Sequence, residues 1–195
     1  MRAQPGEDGA EILPFRDAAD FDAWLEQHHD HQPGVWLKLA KKASGVASMT
    51  DDEAVDVGLC WGWISGQRRG LDDTFYLQKY VPRRPRSRWS QVNVRKVGEL
   101  EAAGRIRPPG QAEIDAAKAD GRWDAAYESQ REFTVPDDLR EALDDSPPAR
   151  TAYDALGRTE QYAVVLDLVT ARAPEVRAAR LRQAVARLDE GAAHD

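Results

Sequence analysis

A single cysteine, Cys60, in a chain of 195 residues leaves no partner for an internal disulfide. No apolar run exceeds the octet 57–64, well short of the roughly 20 residues that span a bilayer, so membrane insertion is not expected. Residues 1–7 hold no apolar segment of the kind that forms a signal peptide core, and the expected compartment is the cytoplasm. Also missing are carboxylates paired for acid and base work, a Ser-His-Asp set, a phosphate loop, a dinucleotide fingerprint and zinc spacing. No catalytic set, metal or cofactor is therefore expected. His28, His29 and His31 read as surface histidines at a helix end, and Cys60, between Leu59 and Trp61, as a buried inert thiol.

What the chain does contain is ordinary for a globular protein: 42 % apolar residues, enough for a core, and a net charge of −7 that argues against a general nucleic-acid coat. Residues 1–11, rich in Gly, Pro and acids, read as a flexible N-terminus. Residues 12–105 mix helix and strand. Asp20 is placed to cap a helix carrying Phe21, Trp24 and Leu25 on one face, ended by Pro33-Gly34. Residues 35–41 read as a strand. Thr50-Asp51-Asp52-Glu53 has the form of a capping box opening a helix that runs apolar to Ile64, and residues 66–70 and 74–81 read as a hairpin. A helix follows from Ser90 to a stop at Gly104. Residues 106–131 form a helical connector, with a helix opened by Pro109, and residues 132–195 an all-helical module whose starts are marked by Pro136, Ser146-Pro147, Thr159 and Pro174. The expected fold class is α+β, a small mixed or antiparallel sheet with helices followed by an all-helical C-terminal module.

Charge is distributed unevenly along this plan. Between Lys79 and Lys96 lie seven basic residues and no acid, so the rest of a chain of net −7 carries −14. Arg predominates there, and its planar fork suits two-point contact with carboxylate or phosphate. Aromatic rings interleave with the charge. If the hairpin brings Arg68 and Arg69 toward Arg83, Arg84 and Arg86, an anionic, planar ligand has both cations and rings to meet, with Trp61, Trp63 and Trp89 as the rings and Ser87 and Asn93 as neutral hydrogen-bond partners. The same stretch also suits a solvated connector anchored by the chain's own acids, among them Asp51, Asp52, Asp72 and Asp73.

Two motifs give this chain a family likeness. Residues 59–66, Leu59-Cys60-Trp61-Gly62-Trp63-Ile64-Ser65-Gly66, and residues 80–93, which hold Pro82, Arg83, Arg84, Pro85, Arg86, Trp89 and Asn93, resemble the hallmark of the YdeI/OmpD-associated, bacteriocin-protection proteins of bacteria. The likeness extends through residues 117–123 and the helical C-terminal module. It departs at Ser65, where the family often has Asp, and at Val176-Arg177, where it usually has Thr-Arg. The resemblance implies a link to envelope stress or tolerance of bacteriocins, with no agreed reaction or cofactor. The leading expectation is a binding protein that holds an anionic small molecule at the Arg- and Trp-rich segment. Two other classes stay open: an enzyme acting on a phosphorylated or carboxylated small molecule, with Glu53, Asp56 or Asp72 as its base, and a module that docks a protein partner through its C-terminal helices. Nucleic acid is disfavoured as a partner by the −14 outside the basic stretch.

Overall fold

A computed structural model of the protein describes residues 4–5, 8–171 and 173–192. The remaining residues, including 1–3, 6 and 7 of the segment expected to be a flexible N-terminus, lie outside that description. The chain divides into two compact units, one running to Trp89 and resuming over Asn93–Ala125, the other formed by Ser90–Val92 and the chain from Ala126 onward. The segment 106–131 is thus shared between them.

The first unit is built on a five-stranded mixed sheet. Its strands are β1 (Gln4–Pro5), β2 (Glu11–Leu13), β3 (Val35–Ala40), β4 (Trp63–Gly70) and β5 (Phe75–Pro82), in the order β1-β2-β3-β5-β4, and only the β2–β3 pair is parallel. Between β2 and β3 runs helix α1 (Ala18–His28), capped by the side chain of Asp17, which accepts the Asp20 N–H at 3.0 Å. Asp20, the cap expected from sequence, instead lies in the first turn and pairs with Arg16. Gly34 then enters β3 with φ +88, where a Cβ would stand 2.3 Å from the Tyr80 carbonyl oxygen, so the chain needs glycine to lie this close to β5.

Helix α2 (Asp51–Cys60) opens on the expected capping box: Glu53 N–H donates to Thr50 Oγ1 at 3.2 Å, and Thr50 N–H donates to Glu53 Oε2 at 2.8 Å. It ends earlier than its apolar run suggests. Gly62 adopts φ +74 and turns the chain, so that Trp63 and Ile64 begin β4 instead of a further helical turn. Alternation then sorts the sheet into two faces. Leu37, Leu39 and Tyr80 belong to the face under α1 and α2, with Phe21 meeting Tyr80 edge-on at 5.7 Å. Trp36 and Leu77 lie on the opposite face and pack with Ala10. Helices α3 (Gln91–Ala102) and α4 (Pro108–Ala119) complete the chain order of this region; Lys96 of α3 bonds Asp56 of α2 at 2.6 Å, and Gly110 of α4 lies directly on the end of α2.

On the Trp36 face the Lys79 ammonium is buried and bonds Asp8 Oδ2 at 2.7 Å, while the Trp36 indole N–H donates to Asp8 Oδ1 at 3.1 Å. The bond from Lys79, with the Trp36 donor, lowers the Asp8 pKa from 3.8 to about 2. A carboxyl depressed on folding contributes stability that is full above its unfolded pKa and lost as the pH falls through the folded one. Acid titration of stability should therefore show a decline between about pH 4 and 2 that Asp8→Asn removes, the variant being less stable at neutral pH because Lys79 then lacks its counterion.

The second unit is helical: α5 (Asp137–Asp144), α6 (Pro147–Ala155), α7 (Arg158–Val169) and α8 (Pro174–Ala192). Ser146 caps α6 with Pro147 behind it, as proline lacking an N–H fits a first turn. Leu139, Leu143, Ala149, Tyr153, Val165 and Leu168 form its buried core. Arg177 grips Asp138 with two bonds, 2.7 and 2.9 Å long, while its neighbour Val176 is exposed. The fold class is α+β, as the sequence indicates. Among the described residues no helix is long and apolar enough to cross a membrane.

Candidate functional site

The residues expected to share one site take four different positions. Trp63 is 1 % exposed and donates its indole N–H to the His29 carbonyl at 2.7 Å, with Trp24 edge-on at 5.9 Å. Trp61 donates to Asp22 Oδ1 at 2.7 Å and stacks on His29 at 5.6 Å. Both rings are thus fixed in the helix layer, and the histidines serve as packing partners. Among the described residues no group of three His, Cys, Asp or Glu is arranged to hold a metal ion.

Adjacent positions on a strand point to opposite faces, and this separates Arg68 from Arg69. Arg68 donates to Gln78 Oε1 and pairs with Asp51, both at 2.7 Å, and lies 4.7 Å over the Tyr76 ring. It lines a cleft of about 640 Å³ with Lys41, Lys42, Asp52 and Tyr76. Arg69 covers Trp36 at 4.4 Å on the other face. Neither approaches the 83–88 segment along the sheet: Arg69 is opposite Leu77, five residues before Pro82, or about 17 Å at a strand rise of about 3.4 Å per residue. The two arginines sit by the hairpin turn and the others leave from its open end.

That open end continues into a compact arginine turn. The Arg84 carbonyl accepts the Ser87 N–H at 2.9 Å, and Ser87 Oγ accepts the Arg84 N–H at 2.9 Å, closing Arg84-Pro85-Arg86-Ser87 from both sides. Pro85 supplies the fixed φ of the second position and Arg86 takes φ +72 at the third, where glycine is the residue of least strain. Two buried guanidinium groups hold the turn from beneath. Arg83 lies 3.6 Å over the centre of the Trp89 ring and donates to the Arg88 carbonyl at 3.0 Å; Arg122 donates to the Ser87 carbonyl at 2.9 Å and to Asp120. Trp123 packs on Trp89 at 5.0 Å. Arg84, Arg86 and Arg88 remain exposed and make no ion pair among the described residues. Asn93 lies three residues into α3, half-buried.

Arg88, Arg122 and Trp123 fall within the basic stretch or the family motifs but are not among the residues expected at the site. A signal is present, since Arg122-Trp123 repeats the Arg and Trp pairing of Arg83 and Trp89, but nothing in one sequence says that the two pairs stack. The carboxylates considered as bases all have structural partners: Glu53 closes the capping box, Asp56 pairs with Lys96 at 2.6 Å, and Asp72 Oδ1 accepts the Thr74 and Phe75 N–H groups at 2.8 and 2.7 Å. Burial pushes the Cys60 thiol up, which keeps it protonated near neutrality.

An α+β unit that displays a rigid arginine turn, followed in the chain by a helical unit, defines the class of protein. The first unit falls within a described family: residues 13–113 match a domain of unknown function, DUF8412, over more than half of the chain, and the chain belongs to that family. Residues 132–191 match the family described as bacteriocin-protection, YdeI or OmpD-associated. The family expected from the tryptophan motifs is therefore found in the helical C-terminal segment, whereas residues 59–66 and 80–93 lie in the DUF8412 span. No curated protein and no solved structure matches the chain.

Proposed function

We propose that the protein is a binding protein of the cytoplasm whose arginine turn, Arg84, Arg86 and Arg88, takes an anionic small ligand, with bacteriocin protection, named in the description of the family that residues 132–191 match, as the process it serves. The observation that carries this reading is the placement of an arginine at φ +72. Strain of this kind persists where surrounding structure imposes it and is concentrated at functional positions. Here the imposing structure is the pair of buried arginines, Arg122 on the Ser87 carbonyl that ends the turn and Arg83 on the Arg88 carbonyl that follows it, which leave three cations facing solvent. Arg83 and Trp89 act as the base of the turn, and Ser87 as its clasp. A ligand laid on such a surface gains from charge-assisted bonds and loses affinity with salt.

Thermal unfolding against nucleotides, sugar phosphates, polyphosphate and carboxylates at two salt concentrations tests this, because a ligand at 100 times its Kd stabilises by about 2.7 kcal/mol. At least one anion class should raise the melting temperature, less so at high salt. The combined Arg84→Ala, Arg86→Ala and Arg88→Ala variant should melt as the wild type does and lose at least tenfold in affinity. No shift with any anion, or the same affinity in the triple variant, rejects the reading. Arg86→Gly separates strain from charge: relief of the left-handed backbone, less the entropy of a new glycine, should stabilise by about 0.5 kcal/mol while anion affinity falls. Denaturant titration beside a binding curve measures both.

A further inference from the structure

A cavity of about 320 Å³ opens between α1, α2 and the segment joining α3 to α4, and it shares no residue with the arginine turn. Its walls include Ala18 and Asp22 of α1, Val57 and Cys60 of α2, and Arg105 and Arg107. The charges within it do not cancel. Asp22 is paired on both oxygens, one accepting the Trp61 indole N–H at 2.7 Å and the other the Arg107 guanidinium at 3.0 Å. Arg105 makes no ion pair among the described residues and is left as the uncompensated cation of the wall. Beside the charge the named lining is apolar: Ala18, half-buried, with Val57 and Cys60, each 2 % exposed, Cys60 being a neutral thiol because burial outweighs the nearby positive charges of Arg105 and Arg107. The volume is at the lower end of the range for clefts and cavities that hold small molecules, roughly 300–1,000 Å³, and the site is open to solvent on one side.

We propose that this cavity binds a small monocarboxylate, its anionic end on Arg105 and its apolar body against Ala18, Val57 and Cys60. One net positive charge calls for one negative charge, and the apolar wall favours a short hydrocarbon or ring over a sugar phosphate. This site and the arginine turn stand or fall separately.

Cys60 makes the test specific, because it is the chain's only thiol and lines the cavity. The full-length protein is alkylated with iodoacetamide in the presence of benzoate, butyrate or the neutral control benzamide, and the carboxylate Kd is measured by titration calorimetry. A buried thiol reacts through transient openings, so a ligand that occupies the cavity at ten times its Kd should slow labelling about tenfold. Arg105→Ala should weaken carboxylate binding at least tenfold, Arg105→Lys should keep part of it, and the triple variant of the arginine turn should bind and protect as the wild type does. Both Arg105 variants alter an exposed side chain, and their melting temperatures confirm folding. Any of four results overturns the proposal: no slowing by either carboxylate, equal slowing by benzamide, unchanged binding in Arg105→Ala, or loss of protection in the triple variant.

Discussion

Trp89→Ala lowers the stability of the first unit by about 3–5 kcal/mol, the range for emptying the volume of a buried large aromatic ring. The ring is 1 % exposed and lies between the Arg83 guanidinium at 3.6 Å and Trp123 at 5.0 Å. Removing it takes away the surface against which a buried charge is packed, in addition to the transfer energy of the ring. Its indole N–H finds no acceptor among the described residues, so the loss is of packing and not of a hydrogen bond. Trp89→Phe should accordingly cost much less than Trp89→Ala. Denaturant titration of the two variants decides the matter: a loss below about 1 kcal/mol for alanine would show that the stack is dispensable.

Gly110→Ala is expected to cost about 3 kcal/mol, through one added methyl group. A Cβ at Gly110 would stand 2.2 Å from the Cys60 carbonyl oxygen and 3.0 Å from that of Leu59, so α4 must move off the end of α2. Moving it also strains the bond by which Arg107 N–H, just before α4, donates to the Cys60 carbonyl at 3.0 Å. Gly98→Ala in α3 supplies the control. Nothing lies within 4 Å of a Cβ there, and a helix-interior alanine should stabilise by up to about 1 kcal/mol. Equal stability of the two variants would mean that α4 is not held against α2.

The parts of the fold legible in the sequence are those written in local chemistry. The capping box at Thr50 and Glu53 and the strand near residues 35–41 formed where side-chain pattern and backbone preference agree, and so did the hairpin and the helix starts at Pro136, Pro147 and Pro174. The end of helix α2 is not legible in the sequence because apolar residues serve a buried helix and a buried strand equally well; only the positive φ of Gly62 separates them. The parallel β2–β3 pair joins residues 24 positions apart and leaves no local mark. For the arginine segment, composition located the cations but could not orient them. Arg83 and Arg84 are neighbours with opposite duties, one turned under Trp89 and the other exposed, and the packing that separates them includes Arg122 and Trp123, nearly 40 residues later.

Trp24, Trp36, Trp61, Trp63, Trp89 and Trp123 all fall in the first unit, and the second carries tyrosine but no tryptophan. The emission of the intact chain on excitation at about 295 nm therefore comes from one half of the molecule alone, whereas the far-ultraviolet dichroism of α5–α8 comes from the other half as well. Two unfolding curves recorded on one sample would superimpose only if both halves melt as a single cooperative body, and their separation along the denaturant axis would give the stability of each without cutting the chain.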